Sequence, residues 1–452
     1  MLTRRSLLHG AAGCTLAASF PMSAMPAPEP NRRLKIAAIF TECRHRSHAH
    51  VILENFLEPY LFNGRWTEAG MDVVSFWQDQ HPPQDLAAAM AAEYGVRTCG
   101  SVREALCLGG NRLAVDGVLS IAEHGEYPTN ERGQKEYPRK RFFDAIVEVF
   151  RETGQVVPVF SDKHLSYRWD WAQEMYATAR AMKIPLMAGS SVPLAERRPP
   201  LDLPPGAEIE EAISIHGGPF EVYDFHALEV LQSFMEARKG GEAGVARIQF
   251  LSGDALWKAA DEGRWSEAIA EAAREADLGR DRPALRSLPR EAAQTPAAPW
   301  GILAEYRDGT RGAVLRFNRT DIRWSFGCRL KGEKTPRATS FNVGPWDNRC
   351  LFKALSHAIQ AHFRNREAPY PVERTLLATG MLEAAMTSRH EGARVVDTPD
   401  LAIAYAAKDF RALRETGASW KILTDAIPEP IGFERGRVRR KQLPGAGECT
   451  DE

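Results

Sequence analysis

Residues 34–48 read LKIAAIFTECRHRSH. The first seven, LKIAAIF, form an apolar run of strand length. A polar turn then separates them from a helix predicted around residues 48–57. Strand, turn and helix in that order are the start of a βα unit, and the chain beyond repeats the theme. Apolar runs at 72–76 (DVVSF), 114–122 (AVDGVLSIA), 156–160 (VVPVF) and 185–189 (PLMAG) alternate with helical segments at 85–94, 141–152 and 169–182. In the 141–152 segment Phe142, Ile146, Val149 and Phe150 share one face. Strands spaced by helices join in parallel through right-handed crossovers, so residues 31–192 are expected to form an α/β, Rossmann-like, doubly wound parallel sheet.

The texture changes after residue 192. The Pro-rich stretch 197–206 (RRPPLDLPPG) marks the boundary. Strand-like segments follow at 209–215, 246–252, 302–306, 312–317, 321–330 and 338–341, with helices at 225–238, 351–364 and 372–389. Many strands and few interleaved helices imply an α+β domain over 193–435, with an open mixed or antiparallel sheet covered on one face. The Ala-rich, charged segment 254–298 is a helical insertion, and 436–452 is a tail with little to bury.

Composition narrows the function. The 452 residues carry 58 Lys+Arg against 59 Asp+Glu, a formal charge of −1. Such a balance offers no field to gather nucleic acid. The 44% hydrophobic content is too high for a disordered chain. Residues 1–30 read as a twin-arginine signal peptide: Arg4-Arg5 precede an apolar stretch too short to span a bilayer, and no later run is long enough. The expected location is the periplasm. No two cysteines stand in a C-x-x-C pair, so neither a zinc knuckle nor a redox motif is indicated.

Several strand ends carry groups capable of chemistry. A dinucleotide-binding turn has G-x-G-x-x-G after its first strand, so that backbone can approach the diphosphate. Here the turn from Phe40 to His48 has no glycine and contains Glu42. Thr41, Arg44, Arg46 and the helix N-terminus remain as groups for a phosphate, and Asp79 stands where an acid for ribose hydroxyls would fall. His45, His48 and His50 invite a metal, but no further ligand completes the set by spacing. Glu123, His124, Glu126 and Tyr127 follow the 114–122 strand and, with Arg139, make a substrate-facing loop. Asp162, Lys163 and His164 close the 156–160 strand, where a Lys can orient a hydroxyl and accept its proton. His226 opens the helix DFHALEVLQSFM.

In this order and spacing, these pieces resemble the glucose–fructose oxidoreductase/inositol dehydrogenase/MocA (Gfo/Idh/MocA) family over residues 34–399. The family's Glu-Lys-Pro slot is filled by Asp162-Lys163-His164, and its helix-opening His by His226. The segment Ala368-Pro369-Tyr370-Pro371 and the helices around it fit the closing pattern. The resemblance implies an NAD- or NADP-dependent oxidoreductase acting on a carbohydrate or cyclitol hydroxyl, with Lys163 orienting that hydroxyl and His226 as acid/base. It also implies a homo-oligomer paired through faces of the second sheet. The family often has an Asp four residues before the His; this chain has Val222 there, with Glu221 and Asp224 as displaced candidates. Two departures, the missing glycines and the added His164, open a second route. With His124, Glu126 and His226, His164 could make an NAD-independent acid/base or metal-assisted site, a hydrolase or lyase for carbohydrates. A non-catalytic sugar-binding protein is the third alternative.

Overall fold

The computed structural model describes Ser23–Ala24 and residues 32–288, 298–317, 323–345 and 348–422. The twin-arginine motif and the tail from Gly436 lie outside the described residues. Six parallel strands form the first sheet: β1 (Leu34–Phe40), β2 (Met71–Gln78), β3 (Arg97–Thr98), β4 (Gly117–Ile121), β5 (Val159–Asp162) and β6 (Leu186–Gly189). Their order is β6-β5-β4-β1-β2-β3, the doubly wound arrangement expected from the alternating pattern. The 156–160 run divides at Pro158, which has no N–H to donate. Gln155–Val156 pairs with Ser23–Ala24 instead, and the sheet strand starts at Val159.

Helices α1 (His48–Leu57), α2 (Ala87–Tyr94), α3 (Val102–Cys107), α4 (Arg139–Thr153) and α5 (Trp169–Ala181) cover this sheet. Ser47 caps α1 by accepting from the His50 amide. The α4 face predicted from Phe142, Ile146, Val149 and Phe150 is buried. Three pieces of this half were not foreseen: the short edge strand β3, the six-residue α3, and a hairpin of Tyr60–Phe62 with Arg65–Thr67.

The second sheet has eight strands: β7 (Glu196–Arg198), β8 (Ile209–His216), β9 (Val245–Ser252), β10 (Trp300–Tyr306), β11 (Arg311–Arg316), β12 (Trp324–Leu330), β13 (Arg337–Asn342) and β14 (Val396–Asp397). They run in the order β7-β13-β12-β8-β11-β10-β9-β14, antiparallel except for β8 with β11. The sheet is open and mixed, as expected. Its inner face carries α6 (Val222–Met235).

The expectation of one covered face is corrected. The insertion supplies α7 (Asp254–Asp261) and α8 (Glu267–Leu278); their Leu256, Trp257 and Ile269, with Trp265 from the connection between them, pack on Ile213, Leu303 and Leu315 of the outer face. A Cβ on Gly327 of β12 would come within 2.8 Å of the Ile269 carbonyl oxygen, so glycine lets α8 lie directly on the strand. Apolar residues of the insertion, spread among charges, were the material for that second layer.

Helix α9 (Asn348–Asn365) returns to the first half and packs on α1, while α10 (Val372–His390) lies against α5 and β6 on one side and α6 and β9 on the other. One apolar core therefore runs through both sheets, from Ile36 and Phe40 to Ile248 and Phe326.

Candidate active site

Strand order reverses between β4 and β1, so the crevice of this fold opens at their carboxyl ends. Glu123 stands two residues past β4, Lys163 follows β5 directly, and Arg139 starts α4. The Lys163 ammonium lies 3.0 Å from Glu123 Oε1, and the Arg139 guanidinium donates to Glu123 Oε2. Arg139 Nη1 is 3.2 Å from His164 Nε2, which is 3.7 Å from Glu221 Oε1 at the start of α6. This chain of five links the two sheets, and each member is only 1–3% exposed. Burial acts to raise the Glu123 carboxyl, but Lys163 and then Arg139 outweigh it and hold it well below the usual carboxylate range. Glu221 has no such pair, and burial pushes it up to about 7. His164 is held well below the ordinary imidazole value by burial and by Arg139, and so is neutral.

Three of the residues around this cluster have positive φ without being glycine: His124 (72°), Lys163 (65°) and Glu221 (67°). Each such conformation costs about 1–3 kcal/mol and persists only where the surroundings enforce it. Gly125, at φ 95°, completes the turn after β4; a Cβ there would meet Gln80 Oε1 at 2.8 Å.

His226 lies in the second turn of α6, its Nδ1 2.7 Å from Ser190 Oγ just past β6. Burial, then Lys163, depresses it well below the ordinary value, so its imidazole is neutral. One turn on, Glu229 is fully buried, and burial raises its carboxyl to about 7, with Arg374, Thr375 and the Ser190 backbone offsetting only part of that penalty. Asp162 pairs with His48: Nδ1 to Oδ2 is 2.6 Å. The His48 ring sits between His124 (5.1 Å) and Phe352 of α9 (4.6 Å). His124 Nε2 and His164 Nδ1 are buried with no partner, as atoms awaiting a ligand would be.

The structure thus brings together Glu123, His124, Arg139, Asp162, Lys163, His164 and His226. It does not bring in every residue expected there. Asp224 is turned to the helix start as part of a capping box: Oδ1 takes His216 Nε2 (2.9 Å) and Trp300 Nε1 (3.0 Å), and Oδ2 takes the Glu221 amide (2.8 Å). Its acceptors are filled, which corrects its expected role in binding substrate. Glu126 is exposed and contributes only its backbone, to Gln80. Tyr127 donates to Asp79 Oδ2 (2.6 Å), which Arg141 also holds (2.5 Å). The acid expected to bind ribose is therefore engaged.

The fold implies a dinucleotide, and the turn after β1 tests whether one fits. The Thr41 hydroxyl donates to the Glu123 carbonyl at 2.6 Å, and Cys43 is fully buried. Arg44 Nε pairs with Glu42 at 2.6 Å while its Nη2 lies 3.3 Å from His124 Nδ1, bridging the turns after β1 and β4. The Arg46 amide donates to His50 Nδ1 (3.0 Å), and the Arg44 amide to Ser47 Oγ (3.1 Å). Amides and guanidinium that would receive phosphate oxygens are satisfied from within, and a carboxylate occupies the turn. These residues do not fit a diphosphate, which corrects Thr41, Arg44 and Arg46 as its ligands; Asp79, held by Tyr127 and Arg141, is corrected as the acid for the ribose hydroxyls. Among the described residues no three His, Cys, Asp or Glu side chains gather as a metal site.

Sequence reasoning missed Ser190, Glu229 and the pairing of His48 with Asp162. Ser190 had a signal, since it directly follows a predicted parallel strand. Glu229 had none within its apolar helix.

With two sheets, a crevice at the switch point and a Lys at a strand end, the chain has the two-domain α/β fold of Gfo/Idh/MocA-type dehydrogenases. GenD2 from gentamicin A biosynthesis, solved in complex with NAD, aligns at a TM-score of 0.53 with 12% identity, covering 82% of this chain and 98% of that one. A probable dehydrogenase from Thermotoga maritima aligns at 0.50 with 12% identity, covering 81% and 100%. No protein-family model and no curated protein matches the sequence.

Proposed function

We propose that the chain is an enzyme acting on a hydroxyl-bearing small molecule, a carbohydrate or cyclitol, in the crevice at the carboxyl edge of the parallel sheet. The observation that carries this is Lys163: strained backbone, burial and pairing to Glu123 hold its ammonium at the strand end, within electrostatic reach of the neutral His226. An ammonium there donates to a substrate oxygen, and a neutral imidazole can take or return a proton. Near-zero net charge suits an uncharged polyol.

The shared fold supports an oxidoreductase, with NAD or NADP as the hydride partner; GenD2 holds NAD. The closed turn after β1 favours a second reading, acid/base chemistry without a nucleotide. Nucleotide content separates the two. Chromatography of the supernatant from heat-denatured, purified protein should show near-equimolar NAD(P) under the first. Under the second it shows none, and NADH or NADPH fluorescence is unchanged on titration with the protein. In either case Lys163→Ala should abolish turnover with the fold retained; undiminished turnover would remove Lys163 from the chemistry. Export by the twin-arginine route is part of the proposal and is supported by Arg4-Arg5.

A further inference from the structure

We propose that His48, oriented by Asp162, is a proton-transferring residue of the cleft, standing where the fold would otherwise hold a dinucleotide, and that the chemistry is redox-neutral proton transfer on a carbonyl-bearing sugar. This rests on the second reading above.

Five observations converge. Asp162 is 1% exposed and lies 2.6 Å from His48 Nδ1. A carboxylate only accepts, so Nδ1 carries the hydrogen, and in the neutral ring Nε2 is the nitrogen that can take a proton. His124 and Phe352 flank the ring and fix its plane. His48 is the first residue of α1, directly after the turn closed by Glu42, Arg44 and His124. Asp162 and Lys163 are consecutive, so one strand end aligns the base through Asp162 and supplies a cation through Lys163. Finally, the orphaned His124 Nε2 and His164 Nδ1 offer further hydrogen bonds to a polyhydroxyl ligand.

The step balances without a co-reactant. His48 Nε2 takes the proton from the carbon next to the sugar carbonyl. The C–H electron pair forms the C=C bond of an enediolate, and the former carbonyl π pair moves onto its oxygen, stabilised by the Lys163 ammonium. Return of the proton by His48 to the former carbonyl carbon, with the neighbouring hydroxyl passing its proton to the former carbonyl oxygen, gives the isomer; return to the original carbon regenerates the sugar. Asp162 stabilises the imidazolium and acts as a positioning residue.

The test incubates purified full-length protein with aldoses, ketoses and uronic acids in deuterium oxide, without added nucleotide. Proton NMR follows loss of the signal beside the carbonyl. The expected result is exchange by the wild type and a fall of at least about 100-fold in both His48→Gln and His48→Asn, with melting curves showing that the variants fold. Asp162→Asn should lower kcat with KM within about twofold. Unchanged exchange in both His48 variants, or no exchange with any sugar class, overturns the role of His48. Equimolar NAD(P) in the purified protein overturns the second reading instead, so the two failures are told apart.

Discussion

Glu229 shows at the scale of one residue how burial makes a side chain sensitive to pH. Its carboxyl has an ordinary value of 4.5 and is raised to about 7 in the folded chain. Between those values the folded state keeps a proton that the unfolded chain releases, so stability falls as pH rises through the window. Glu229→Gln mimics the neutral form and removes the penalty, which is at most about 3 kcal/mol from the size of the shift. The variant should melt with the wild type near pH 4.5 and several degrees above it at pH 8. A gap independent of pH would mean that Glu229 does not change its charge. At this scale the sequence was partly legible. Lys163, His164 and Glu123 could be picked out because polar groups directly after a parallel strand face the crevice. The Asp162–His48 pair could not, since its members are 114 residues apart and meet only through strand order. Asp224 misled because a carboxylate at N3 of a helix can serve the cap as readily as a ligand.

At the scale of elements, α6 and α10 are joined by a buried ion pair. Arg374 Nε donates to Glu236 Oε2 at 2.8 Å, both residues are 1% exposed, and the guanidinium also lies over Tyr370 (4.6 Å) and Phe410 (4.5 Å). Removing one partner of such a pair leaves a buried charge, so Arg374→Met should cost about 3–5 kcal/mol. Replacing both, as Arg374→Met with Glu236→Leu, should recover most of that loss. Urea denaturation of the three proteins measures it, and a double variant no better than the single would show that the aromatic contacts dominate. The helices were legible from their periodicity, and α1, α4, α5 and α10 fall within a few residues of the expected bounds. The hairpin 60–67 and α3 were not, because elements of three to six residues are shorter than the window over which periodicity can be recognised.

At the scale of the molecule, the insertion changes how the second sheet relates to the outside. The resemblance implied pairing through the faces of that sheet; on its outer face Trp257, Trp265 and Ile269 of the same chain are buried, with Trp265 Nε1 anchored to the Leu256 carbonyl at 3.0 Å. The fold class was readable from strand and helix alternation, but this cover was not: the insertion's apolar residues are spread among charges and declare their face only once α8 is laid on β12. An obligate dimer has a melting temperature that rises with protein concentration, because association is part of its folding equilibrium. With this cover supplied by the chain itself, we predict that folding is unimolecular. The melting temperature should therefore stay constant across a hundredfold dilution; a fall on dilution would mean that subunits supply stability after all. Under the export proposed from Arg4-Arg5, such independence would have a practical meaning: each copy would complete its fold alone, before it meets another.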